Sequence, residues 1–389
     1  MVSELSSRSS KTVLAALLFS SFISSFVFQI AAILPLIIQE FQITHAQAGL
    51  LMTVVSIPGF FLSIFIGNLV DRYGAKLIGT IALFFSTAGS FIVASSPFFS
   101  ITLLGRFIIG IGARENIIMP IIISQWFDAK RVGMAMGFNT LAMTLGSVIT
   151  FAVYSNLGLI YGWRTPYFLG SVLSLVSLIT FFFMVKEGPL RKTTQKNQSK
   201  ASRGALSNFE LWKIALVFFW LPTAMVGFST WFPTFLVEFK GISLFHASLI
   251  ASISFAMHIF FSPFWGWFSD RVGKRKPILV IASISWVILL PLISLASRAI
   301  EIIPLVIIYG FFAASMPPLT NALIAETSTS EQRGTGFGML SFCVSLASMV
   351  GPLIVGYARD VSGSMFIPFV VAGMFAAGGA VNTFLLKTR

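Results

Sequence analysis

Twelve apolar runs follow one another along the 389 residues, with little polar sequence between them. A helix that crosses a bilayer needs roughly 20 mainly apolar residues. The runs lie near 12–36, 46–70, 76–96, 99–125, 133–156, 165–186, 210–237, 246–269, 277–297, 302–325, 335–358 and 365–386. They predict an all-α integral membrane protein of about twelve transmembrane helices. Only 10% of the residues are charged, against roughly 25% in a soluble domain, too few to coat a water-facing surface. The 42 phenylalanines suit lipid-facing and helix-packing positions. The first run is too long for the h-region of a signal peptide, roughly 7–15 residues, and reads as the first span.

The charges fix an orientation. Net charge is +13, but the basic residues sit in short loops between apolar runs, so they point to membrane topology and not to nucleic acid. With the N-terminus in the cytoplasm, 20 of the 26 basic residues fall on the inner side. Only Arg164, Lys240, Arg298 and Arg359 fall outside, and Arg106 and Arg114 lie within the fourth span. Both termini are therefore expected in the cytoplasm, and the chain is expected to be a multi-pass protein of the cell (plasma) membrane. Residues 187–209 are polar, basic and rich in Ser, Thr and Gln. They read as a cytoplasmic linker between an N-terminal six-helix bundle, 1–186, and a C-terminal one, 210–389. The linker could also touch anionic headgroups, although a tether and topology determinant is the simpler reading.

The two halves share a loop. After the second span the chain reads Gly67-Asn-Leu-Val-Asp71-Arg72-Tyr-Gly74, and after the eighth Gly266-Trp-Phe-Ser-Asp270-Arg271-Val-Gly273. Both fit GxxxDRxG followed by basic residues, and they start 199 residues apart, close to half the chain. Met119-Pro120 and Met316-Pro317 recur 197 residues apart, and Arg131 with Gly133 and Gly137 answers Arg333 with Gly334 and Gly338. Ordered recurrence argues for a duplicated six-helix unit. The first glycine of the loop would permit close helix packing, and the second a positive φ in a tight turn. The aspartate could receive a helix N-terminus, where the dipole favours an anion. The following cations could pair with acidic residues and form an inner gate. The plainer reading is a turn that fixes topology.

In these loops the chain resembles the major facilitator superfamily, over essentially its whole length. Supporting matches are Gly105-Arg106 with Gly110 and Gly112, Tyr161-Gly162-Trp163-Arg164, and Gly351-Pro352 with Gly356. The resemblance implies two pseudo-symmetric six-helix bundles around a central cavity, alternating access by rocking, and a cavity lined by spans 1, 4, 7 and 10. It also implies inner-gate roles for Asp71 and Asp270. Ile109 stands where proton-linked drug exporters of the family often carry Gln, and their Gly-Pro signature in the fifth span is absent. Both departures count against a drug/proton antiporter.

Charge inside the membrane is the best pointer to a substrate. An Arg at mid-bilayer costs about 2.5–3.5 kcal/mol on insertion scales, so it is usually functional or paired. Arg114, Glu115 and Asn116 lie near the middle of the fourth span, with no charged counterpart in the tenth. Arg114 could grip an anionic group and Glu115 could carry a proton, or each could be paired structurally with neighbours. Arg106 could be a packing residue or a substrate residue. Further candidates are Phe28 and Gln29 in span 1, Trp220 in span 7, His258 in span 8 and Tyr309 in span 10. A lone His is more often simply hydrogen-bonded to a neighbour, and the serines 20, 21, 24 and 25 more often serve close helix packing.

The expected function is secondary active transport, by symport if protons are coupled, of a small organic anion such as a carboxylate or sugar acid. Alternatives are export of amphipathic drugs or lipids, or a non-transporting membrane sensor. No GxxxxGK[ST] loop is present for ATP, and no catalytic constellation is found, so no enzyme is expected. The single Cys343 allows no internal disulfide, and His45, His246 and His258 are too scattered for a metal. No cofactor is expected. The expected partners are the anionic small molecule, the bilayer and, with coupled transport, protons, with no nucleic acid and the chain acting as a monomer.

Overall fold

The computed structural model describes residues 2–113, 115–127, 131–188, 206–329 and 332–386, without the side chains of 2–9, 63, 64, 67, 68, 71, 115–117, 333 and 334. Among the described residues there are fifteen α-helices, one 3-10 turn and no strand. The helices are α1 (Val2–Phe28), α2 (Leu34–Phe41), α3 (His45–Tyr73), α4 (Ala75–Ala94), α5 (Phe99–Gly112), α6 (Glu115–Trp126), α7 (Val132–Tyr161) and α8 (Arg164–Met184). They continue as α9 (Phe209–Lys240), α10 (Leu244–Val272), α11 (Lys276–Leu295), α12 (Ala299–Ala313), α13 (Met316–Thr327), α14 (Arg333–Ser362) and α15 (Phe366–Phe384). Eleven helical stretches are long and apolar enough to cross a membrane. Helices α5 and α6 fill the place of the fourth span, so the expected all-α membrane fold of about twelve spans is found.

Two spans are interrupted, and each interruption has a local cause. Span 1 leaves helical geometry after Phe28, passes through a 3-10 turn at Ala31–Ile33, and resumes with a proline in the first turn of α2. Span 10 breaks between α12 and α13, where a proline again opens the second piece. Proline lacks the N–H that would continue the ladder, so it fits a first turn and ends what precedes it. Span 4 is described as α5 up to Gly112 and α6 from Glu115, with Arg114 between them outside the described residues. Of the two Met-Pro pairs, Met316-Pro317 opens α13, while Pro120 lies inside α6.

The chain forms two compact units, one of residues 1–29 and 57–194, the other of 30–56 and 195–389. In the first unit α4 and α5 approach through small residues. A Cβ at Gly105 would stand 2.9 Å from the carbonyl oxygen of Gly89, so only glycine permits this separation. Serines knit α1 to its neighbours: Ser21 donates to Asn139 (2.6 Å), Ser25 to the Met143 carbonyl (2.9 Å), and Ser177 to Ser20 (2.9 Å). Packing, the plainer reading of that serine run, is what these bonds do. The linker begins later than residue 187. Glu187 accepts from the Lys76 backbone N–H (2.8 Å) and Gly188 donates to Gln125 (3.2 Å), which fastens both to the first unit, while 189–205 lie outside the described residues.

The second unit contains a segment from far upstream, the helical hairpin 30–56, which comprises α2 and the first turns of α3. It is seated on α14 by close approach. A Cβ at Gly49 would stand 2.8 Å from the Pro352 carbonyl oxygen, and one at Gly356 would stand 2.7 Å from that of His45. Thr53 donates to the Met349 carbonyl (2.7 Å), and the Trp231 indole N–H donates to Pro352 (2.8 Å). Large side chains such as Phe183 and Phe384 are left exposed, while Phe151, Phe228 and Phe235 are buried.

Candidate functional site

Three groups of residues carry charge or polarity beyond packing. The first is the repeated loop. In the second unit α10 ends at Val272, and Gly273 follows with φ +66°, the left-handed value that closes a helix and that glycine adopts without strain. Gly74, in the matching loop, has φ +90°. Gly266 does not need its smallness here, because a Cβ would meet Pro318 only at 3.8 Å, an ordinary contact. Asp270 accepts from Arg275 (2.9 Å), and the same guanidinium reaches Glu326 on α13 (2.8 Å) and the Ser269 hydroxyl (3.1 Å). Burial alone would lower the Arg275 pKa, but the bonds to Glu326 and Asp270 outweigh it and hold it above the ordinary guanidinium value. One cation thus ties the end of α10 to α13. Arg271 lies over the Trp267 ring (5.6 Å), and Arg72 over Tyr73 (5.2 Å). The side chains of Asp71 and Gly67 lie outside the described residues.

The second group is inside the membrane. Arg114 lies outside the described residues, as do the side chains of Glu115 and Asn116, whose backbone opens α6. Arg106 is fully buried in α5. Its guanidinium donates to the Phe28 carbonyl (3.3 Å), the Tyr167 hydroxyl (3.2 Å) and, more weakly, the Val27 carbonyl (3.5 Å). A helix leaves its last carbonyls without intrahelical partners, and a cation there satisfies them and complements the dipole. Arg106 is therefore the cap of α1 at the interruption of span 1, and Phe28 and Gln29 stand half-buried beside it.

In the second unit the remaining candidates do not form one cluster. Tyr309 is buried between Phe228 (4.9 Å) and Trp286 (5.2 Å), and its hydroxyl has no partner among the described residues. Trp220 packs elsewhere, against Phe375 (6.0 Å) and under Gly378 of α15. His258 is half-buried in α10. Two grooves on the first unit, of about 410 and 380 Å³, are lined by apolar side chains and hold none of these residues.

The third group was not foreseen from the sequence. At the start of α3, His45 places Nδ1 3.0 Å from Asp360 and Nε2 3.1 Å from Glu238. Arg359 stands 3.7 Å from the same Glu238. Asp360 also accepts the backbone N–H groups of His45 (3.0 Å) and Ala46 (2.7 Å), the orphan donors of a helix start. The contacts join residues 193 and 315 positions apart. The only signal in the sequence is that acids are scarce in this chain and these stand at helix ends.

Eleven membrane-length helical stretches with a repeated GxxxDRxG loop are those of a membrane transporter. The Major Facilitator Superfamily profile matches residues 14–257 and 240–389, and the chain belongs to that family. As a transporter it is not an enzyme. It is 25% identical over 363 residues to the hexuronate transporter of Bacillus subtilis, covering 88% of this chain and 86% of that one. It is 24% identical to a probable sulfoacetate transporter of Cupriavidus necator, covering 96% and 92%. Among solved structures, the nucleoside transporter NupG superposes with a TM-score of 0.81 at 16% identity, over 96% of this chain and 100% of the other. That likeness concerns the fold.

Proposed function

We propose that the protein is a secondary transporter of small organic anions, carboxylates or sugar acids, in the cell membrane with both termini cytoplasmic. The sequence halves 1–186 and 210–389 are the bundles that move. The observation that carries the substrate class is the arginine content of span 4. Arg114 stands in the sequence near the middle of that span, between the described residues of α5 and α6. An arginine at that depth is usually functional or paired, and a cation there suits an anionic substrate group. Arg106, the other arginine of the span, is committed to the end of α1, which leaves Arg114 for the substrate. The names of two relatives support an anion, since a hexuronate is a sugar acid and sulfoacetate carries both carboxylate and sulfonate. Glu115 is the proton carrier of this scheme, and the paired Asp270 and Arg275 belong to its inner gate.

The test is uptake into liposomes of a labelled panel of carboxylates and sugar acids, with and without a pH gradient. Arg114→Ala is expected to lower uptake of every accepted anion at least about tenfold, the loss of roughly 1.4 kcal/mol or more of binding. Uptake by Arg114→Ala equal to wild type would refute the substrate assignment. Glu115→Gln is expected to abolish the response to the pH gradient, and full coupling in that variant would remove Glu115 from the mechanism.

A further inference from the structure

The two apolar grooves of the first unit share a wall. The larger, of about 410 Å³, lies between α3 and α4, with Leu62 and Tyr73 on the first helix and Leu77 and Phe85 on the second. The other, of about 380 Å³, lies between α4 and α8, with Phe84 on one side and Phe182 on the other. Ile81 of α4 lines both, so α4 is the ridge between them. From Leu62 to Tyr73 the wall of α3 is roughly 16 Å long, at 1.5 Å of rise per residue. One leaflet of a hydrocarbon core about 30 Å thick is nearly the same, roughly 15 Å. Both grooves end at cations. Arg72 lies over the ring of Tyr73 (5.2 Å), at the end of the first, and Lys76 over the ring of Phe182 (5.3 Å), in the second. Lys186 is exposed at the same end, because its neighbour Glu187 accepts from the Lys76 backbone N–H (2.8 Å). The Trp126 indole N–H fixes the Lys186 carbonyl (2.8 Å). Glu187 itself is turned inward, with one oxygen on the backbone of α4 and the other buried. Among the described residues, none of the three cations is in an ion pair.

We propose that this face of α4 is a binding site for one anionic phospholipid, a phosphatidylglycerol. Its two acyl chains lie on either side of α4, one along each groove, and its phosphate sits among Arg72, Lys76 and Lys186. The grooves supply the apolar contact, and the cations select the headgroup. A zwitterionic lipid would bring its own cation among three others, and the Glu187 carboxylate that could receive it is committed to the backbone of α4. The matching loop of the second unit uses its cation differently. Arg275, 199 positions after Lys76, is taken up by Asp270 and Glu326. Lys76 is paired with an aromatic ring instead, and its ammonium keeps hydrogen-bond donors for a phosphate. This inference does not depend on which substrate is carried.

The experiment uses the full chain in nanodiscs of equal parts phosphatidylglycerol and phosphatidylcholine. The protein is released into mild detergent, and the lipids it keeps are counted by native mass spectrometry. The unaltered chain is expected to keep phosphatidylglycerol over phosphatidylcholine by at least about fivefold. The triple variant Arg72→Gln, Lys76→Gln, Lys186→Gln is expected to bring that preference below about twofold. Lys274→Gln, an exposed cation of the second unit's loop, is expected to leave it unchanged, which separates a site from the general attraction of a basic surface. Ile81→Trp alters no charge but puts bulk into both grooves, and it is expected to lower the phosphatidylglycerol kept by at least about threefold. Equal retention of the two lipids, a preference that survives the triple variant, a loss as large in Lys274→Gln, or full retention in Ile81→Trp would each overturn the proposal.

Discussion

The seat of the hairpin makes a sharp prediction at Gly356. A methyl group there would lie 2.7 Å from the carbonyl oxygen of His45 and 2.7 Å from Cζ2 of Trp231. Neither neighbour retreats freely. The first is backbone, and the second is a fully buried indole held by its 2.8 Å bond to Pro352. Overpacking of this kind costs about 1–3 kcal/mol, and breaking the indole bond to relieve it would cost about 1 kcal/mol more. Against this stands the gain of about 0.5–1 kcal/mol that alanine brings to a helix interior. Gly356→Ala is thus expected to destabilise the second unit by about 2 kcal/mol, roughly 4–8 °C in melting temperature for a unit of this size. Gly338→Ala, on the same helix, is the control. Nothing lies within 4 Å of its Cβ position, so only the helix gain acts and the melting temperature should hold or rise. Cys343, the sole cysteine, is 3% exposed, so labelling by a thiol-reactive dye during heating reports unfolding of α14 directly. If Gly356→Ala melts at or above Gly338→Ala, the close seating of His45 on α14 is refuted.

Two further predictions concern the arginines. Arg106→Met removes the buried donor to Phe28 and Tyr167 and leaves those acceptors unsatisfied, so a loss of about 1–3 kcal/mol is expected in denaturant unfolding of the first unit. Arg106→Lys should recover less than half of it, because one ammonium cannot reproduce the planar fork. Arg275→Gln should cost under about 1 kcal/mol, since Asp270 and Glu326 are 67% and 54% exposed. Because the Arg275 pKa is raised in the folded protein, its contribution is complete below the ordinary guanidinium value and is lost only above the raised one. The melting difference between wild type and Arg275→Gln should therefore stay constant from about pH 7 to 10, and a decline across that window would contradict the pairing.

The spans were legible because a membrane helix is specified by its own length and apolarity, properties of a contiguous stretch. The turn at Gly273 was legible for the same reason, a local backbone demand answered by one residue. The interruption at Ala31–Ile33 was marked only by Pro35, and prolines inside α9, α10 and α14 interrupt nothing. What separates these cases is the partner waiting for the freed backbone. At Phe28 that partner is Arg106, 78 residues away, and no window along the chain contains both. The intramembrane cost of Arg106 could say that it is paired or functional, but not which. The hairpin shows the same limit from the other side. Gly351, Pro352 and Gly356 stood out as a family match, yet their use depends on Gly49 and His45 arriving against them. His45 itself looked like one of three scattered histidines, because a titratable group is defined by the charges it faces. Here those charges come from the ends of α9 and α14. In a chain with thirteen acidic residues, two of them meet one histidine, and no window along the chain shows that meeting.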